Sequence, residues 1–243
     1  MKMKKTETFT FDFIDFQAFS KEKQRDPFYN ERRLRVKRKL GQIGKELQKE
    51  LPKEHSLVHR TSLSHPYLTN QYQVRSLWLY FSRSPNEKKK LKEILGVDIG
   101  KDSDSHYIQT LLVLEVSEKG LALGLKIHSQ AWWDGENLKR KCSHVQHLQT
   151  FVELLNSLKG FALTNHNWKR EYLSGEITQA SLQNFFHYYT PGEHWLQITQ
   201  KYTAQEVLEG KFKIYEWVKK GFFQLLPLYQ FIIWKEENNF VFS

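Results

Sequence analysis

Residues 107 to 128 restrict the fold of this chain more than any other stretch. Two apolar runs, "YIQTLLVLEV" and "LALGLKIH", flank the connection "SEKG", which ends in the glycine that such turns favour. The pattern predicts a β-hairpin. If Val116 stands opposite Leu121, then Thr110, Leu112 and Leu114 share a face with Leu123, Leu125 and Ile127, while Glu115 shares the other with Lys126 and His128.

Further strands lie on either side in sequence. "YQVRSLWLYFSR" predicts a strand from Gln73 to Ser82, "FALTNHNWKREY" one or two short ones, and "EHWLQIT" another. The polar segment from Lys53 to Gln73 has no sustained periodicity and reads as a long loop. Helical patterns come before and after the strands. Val36, Leu40, Ile43, Leu47 and Leu51 form one stripe of an amphipathic helix from about Tyr29 to Leu51, closed by Pro52. A brief helix capped near Asp12 or Asp15 precedes it, and "NEKKKLKEILG" predicts another. Later helices are expected from Asp134 or Ser143 to Lys159, from Thr178 to Tyr189, and from the capping box of Thr203 and Glu206 towards Leu226. Pro227 should break or kink the last.

Because the strands cluster in the middle and do not alternate with helices as βαβ units, the expected class is α+β. The expected architecture is a central antiparallel sheet of about four or five strands with N-terminal and C-terminal helices packed on it. One domain over residues 1–243 is the simplest organisation for a chain of this length.

Composition bears on the partner. A formal charge of +10 raises the local concentration of polyanions without choosing among them. Six cations fall between Arg32 and Lys39, and the acids needed for i to i+4 pairing are absent between Arg32 and Lys45. On a helix whose apolar stripe starts at Val36, Arg32, Arg35, Arg38, Lys39 and Lys45 project outward and would suit a phosphate backbone. The ordinary alternative is a solvated helix face. Trp133, beside Lys139 and Arg140, would stack a base if exposed.

A second constellation is acidic. Asp98, Asp104, Glu115 and Lys126 occur in the order seen in metal-dependent nuclease sites, where carboxylates hold a divalent ion and a lysine assists the attacking water. Asp98, Asp104 and Glu115 would be the ligands, and magnesium or manganese the ion. Such sites usually place the lysine two residues after the glutamate, and Ser117 stands there instead. A cross-strand ion pair between Glu115 and Lys126 explains the same residues.

Cys142, His144 and His147 lie close together, but the only cysteine cannot complete the paired ligand pattern of a structural zinc. No nucleophile elbow, phosphate-binding glycine loop or dinucleotide fingerprint is present. A single cysteine fits a reducing compartment, and no apolar run reaches the length of a bilayer span. The chain therefore reads as a basic cytoplasmic protein that binds nucleic acid largely through phosphate contacts, as an accessory component of a nucleic-acid-processing system, with no cofactor. Two alternatives stand beside it: a metal-dependent nuclease or phosphodiesterase using Asp98 or Asp104, Glu115 and Lys126, and a subunit docking an acidic protein. The sequence leaves open whether the protein is an enzyme.

Overall fold

A computed structural model describes residues 9–95, 107–165 and 168–241. Among the described residues seven strands form one antiparallel sheet: β1 (Leu57–Thr61), β2 (Ser76–Arg83), β3 (Thr110–Ser117), β4 (Gly120–Ile127), β5 (Ala162–Asn165), β6 (Glu171–Leu173) and β7 (Leu196–Thr203). Their spatial order is β1-β2-β3-β4-β7-β5-β6, so the last strand in sequence is inserted between β4 and β5. The helices are α1 (Phe13–Gln17), α2 (Asn30–Glu50), α3 (Pro85–Leu95), α4 (Trp132–Lys141), α5 (Val145–Asn156), α6 (Gln179–Tyr188), α7 (Ala204–Leu208) and α8 (Ile214–Ile232). None of the described helices is long and apolar enough to cross a membrane.

The central hairpin has the expected register, with Val116 opposite Leu121 and Glu115 opposite Ala122. Alternation along the strands then builds the core. Leu77, Leu79 and Phe81 of β2 line up with Val116, Leu114 and Leu112 of β3, and those with Leu121, Leu123 and Leu125 of β4. All are buried. Helix α2 covers this face at β1 and β2, and α8 covers it at β3 and β4. Each helix approaches the sheet at a glycine. A Cβ on Gly44 would come within 2.6 Å of Leu79, and one on Gly221 within 2.2 Å of Leu123, so only glycine allows both backbones to lie so close.

A buried ion pair ties this face to the later helices. Arg83, at the end of β2, donates to both carboxylate oxygens of Asp134 in α4, at 2.9 and 2.6 Å. Asp134 also accepts from the Thr110 hydroxyl and the Trp234 amide. Four hydrogen bonds on one buried carboxylate offset the large cost of removing both charges from water.

Several expectations need correction. The sheet has seven strands rather than four or five, and β1 lies within the segment read as loop. Only Leu57 of β1 is fully buried, and His59 fills the inward position under Gly44, so the strand lacks the apolar alternation by which strands are recognised. The expected helix from Asp134 or Ser143 to Lys159 is two helices, separated where His144 turns to an extended backbone. The helix opened by Thr203 ends at Leu208, and α8 begins afresh at Ile214. Pro227 does not end α8, which runs on to Ile232. Its ring lies on the exposed side, where the Phe223 carbonyl that loses an amide partner can meet water, while Leu226, Leu228 and Tyr229 anchor the buried side.

Candidate nucleic-acid interface

The basic helix is far less free than its sequence suggests. Arg33 is fully buried and donates to the carbonyls of Ala18, Lys23 and Asp26 and to the Asn30 side chain, closing the turn that follows α1. Arg32 pairs with Asp12 and, at 2.8 Å, with Asp15. Lys39 reaches Asp15 at 2.6 Å and lies over the Phe11 ring. Helix α1, whose N-cap is Asp12, thus lays two carboxylates over the cations of α2. The expectation that Arg32 projects freely is corrected accordingly. Arg35, Arg38 and Lys45 are exposed and carry no ion pair among the described residues, and their spacing puts them along one side of α2.

The cluster in α4 is likewise engaged. Lys139 donates to the Tyr189 carbonyl at 2.7 Å, and Arg140 to Glu136 and the Val241 carbonyl. Lys141 is buried against the Phe231 ring. Trp133 is fully buried and has no free face to stack on a base; Trp132 is the partly exposed member of that pair.

Free cations converge elsewhere. A cleft opens between the turn after α1, the lead into β2 and the β3–β4 turn, lined by Lys21, Arg25, Arg75, Lys119, Glu115 and Glu118 among others. Two of its walls are joined by backbone, the Val74 amide donating to the Gln24 carbonyl, and the third is fixed to the start of α7 by the Ala204 amide donating to the Lys119 carbonyl. The turn is tighter than "SEKG" implies, because Ser117 still pairs with Gly120 and the turn proper is Glu118 and Lys119. Gly120, at φ +128°, supplies a backbone shape that side chains disfavour. Lys21, Arg25, Arg75 and Lys119 make no ion pair among the described residues. Nothing in the sequence groups them, because they come from three loops and share no period.

One of the cleft's two carboxylates is already matched. Lys126 reaches Glu115 at 2.6 Å on the sheet face opposite α2 and α8, as the hairpin register requires, and lies 4.6 Å from the centre of the Trp78 ring. Burial pushes the Glu115 carboxyl upward, but the charge and hydrogen bond of Lys126 outweigh it and hold it below the usual carboxylate range. Beside the pair, His128 packs on Trp195 and accepts the Gln130 amide at Nδ1. Burial pushes its pKa down to about 4, so the ring is neutral at pH 7.

Asp98 and Asp104, the other members of the nuclease constellation, lie outside the described residues. Among the described residues no cluster of histidine, cysteine, aspartate and glutamate fits a metal ion. Glu115 is paired with Lys126, the lysine of the same constellation. Cys142 is buried, its thiol pushed up to about 12, so it is inert at neutral pH. Comparison with known proteins finds no family whose pattern matches this chain and no curated protein whose sequence does.

Proposed function

We propose that this protein binds nucleic acid through its phosphate backbone, with the cleft of Lys21, Arg25, Arg75 and Lys119 as the principal contact and the Arg35, Arg38 and Lys45 side of α2 as a second. The observation that carries this reading is the convergence of four cations from three loops on one cleft, none of them in an ion pair among the described residues, with Arg75 donating to the neutral Gln73 side chain at 3.0 Å. Mutual repulsion makes such a cluster unfavourable by itself, and a polyanion relieves it while releasing condensed counterions. Backbone contacts of this kind give affinity without sequence preference. A cytoplasmic setting belongs to the same reading.

Titration of labelled oligonucleotides between 50 and 200 mM salt tests it. Four phosphate contacts should give a log–log salt slope of about −3 to −4. Charge reversal at Arg25 and Arg75 should abolish most of the affinity and flatten the slope, and equal binding by that variant would sink the proposal. An acidic protein as the true partner would appear as weak, slope-poor oligonucleotide binding beside tight capture of a polyglutamate probe. Cleavage of the oligonucleotide with manganese, lost in Glu115→Gln, would instead favour the nuclease.

A further inference from the structure

The loops that bring cations to the cleft also carry aromatic rings that the fold leaves in water. Tyr72, next to the cleft-lining Gln73 in the loop between β1 and β2, is 58% exposed, and Phe28, three residues after Arg25, is 82% exposed. Three residues of chain span at most about 11 Å, so each ring stays close to the cation side of its own loop. The hydrogen bond from the Val74 amide to the Gln24 carbonyl joins the two loops. Among the described residues the Phe28 ring meets one other ring, that of Tyr29, edge to face at 5.4 Å, and the Tyr72 side chain makes no hydrogen bond or ring contact.

Tyr72 is displayed at a cost. Gln71 and Tyr72 both take the left-handed backbone, at φ 57° and 56°, a shape in which Cβ crowds the carbonyl and which glycine adopts readily. The loop is nevertheless firmly built. The Gln71, Tyr72 and Gln73 amides donate to the Leu68, Tyr67 and Asn70 carbonyls, and the Asn70 side chain accepts from the Tyr67 amide while donating to the His65 carbonyl. Strain over-determined in this way clusters at ligand clamps, and what it presents here is a phenol ring beside a cationic cleft.

A duplex has little use for such a ring, because its bases are stacked on one another and it offers phosphates and groove edges. An unpaired strand offers phosphates and base faces together. The sheet does not supply the stacking surface: Trp78, the cross-strand neighbour of Glu115, has Lys126 over its ring and Trp195 at 6.2 Å.

We propose that the cleft takes single-stranded nucleic acid, with Arg25 and Arg75 on the phosphates and Phe28 and Tyr72 stacked on bases. This rests on the nucleic-acid reading of the cleft and names the form of the ligand.

Anisotropy titration of the full chain tests it, with a labelled twelve-nucleotide oligothymidylate, its oligouridylate counterpart, the duplex of each with its complement, and an abasic strand of equal length that keeps the phosphates and lacks the bases. At least one single strand should bind about tenfold more tightly than the abasic strand and more tightly than its own duplex. Tyr72→Gly should keep or raise Tm, because glycine accepts the left-handed backbone, and should weaken the better strand at least about fivefold with an unchanged salt slope, since no phosphate contact is lost. Phe28→Ser should weaken it similarly without moving Tm, and it carries the test if the tyrosine variant folds poorly. Equal binding of the abasic strand, equal or tighter binding of the duplex, or unchanged affinity in both ring variants would each overturn the inference. If charge reversal at Arg25 and Arg75 still removed binding in those cases, the phosphate-binding reading of the cleft would stand without it; no binding of any strand would remove both.

Discussion

The first half of α2 and the cleft beside the β3–β4 turn make opposite use of positive charge. Along α2 the cations are dense in sequence, yet Arg32, Arg33 and Lys39 are held by Asp12, Asp15 and backbone carbonyls. Around the cleft they are sparse in sequence, yet Lys21, Arg25, Arg75 and Lys119 converge in space. Charge density along a chain therefore says little about charge available to a partner. What decides availability is whether the fold brings a carboxylate or an uncapped carbonyl within reach.

If that distinction is right, removing the partner of a fold-committed cation should cost far more stability than removing a cleft cation. The largest effect is expected at Asp134. Asp134→Ala leaves Arg83 charged, buried and unpaired, and should lower unfolding free energy by about 3–5 kcal/mol in urea titrations, with loss of folding an acceptable extreme. A change below about 1 kcal/mol would show that the pair contributes little.

Acid achieves by protonation something similar at His128. The unfolded ring titrates near its ordinary 6.5 and the folded ring near 4, so below pH 6.5 the unfolded state binds a proton that the folded state refuses. Stability should be complete above about pH 6.5 and fall as pH drops to 4, by up to about 3 kcal/mol. Replacement of His128 by Asn should flatten that part of the pH–stability curve, and an unchanged curve would show that the ring is freely protonated in the fold.

Arg33→Met comes next, at about 2–3 kcal/mol, because the Ala18, Lys23 and Asp26 carbonyls and the Asn30 side chain all lose the guanidinium, the Lys23 and Asp26 carbonyls keeping a backbone amide, while the methionine stem keeps much of the packing. Oligonucleotide affinity per folded molecule should not move. The cleft gives the smallest change in stability and the clearest change in binding. Arg75→Ser should shift unfolding free energy by less than about 0.5 kcal/mol while reducing the salt slope by about 1. Loss of binding through Arg33 and none through Arg75 would invert the comparison.

Much of the fold was legible because its signals are local. The hairpin register followed from alternation between Thr110 and Ile127, the helix start at Thr178 from its capping side chain, and that at Thr203 from its capping box with Glu206. Strand β1 was hidden because its inward His59 is accommodated by a glycine on a helix, a partner that no window of sequence contains. Pro227 misled for a related reason: its cost depends on which side of α8 faces water. The ion pair of Glu115 and Lys126 was readable, since both residues belong to one hairpin whose register the apolar face imposes.

Trp133 and Arg32 mark the limit of such reading. Arg32 was placed on the surface from the helix period and Trp133 was read as a base-stacking residue if exposed; Trp133 is in the core and Arg32 lies under the carboxylates of α1. By itself the sequence determined the α+β class, the antiparallel hairpin, the apolar stripe of α2 and the excess of positive charge, all of which follow from periodicity, capping chemistry and composition. Tertiary structure alone decided which cations are free of ion pairs, where they gather, and that Arg83 meets Asp134 in the core. Side-chain period is set by the few residues on either side along the chain, whereas the electrostatic partner of a charge is set by whatever the folded backbone brings within a few ångströms.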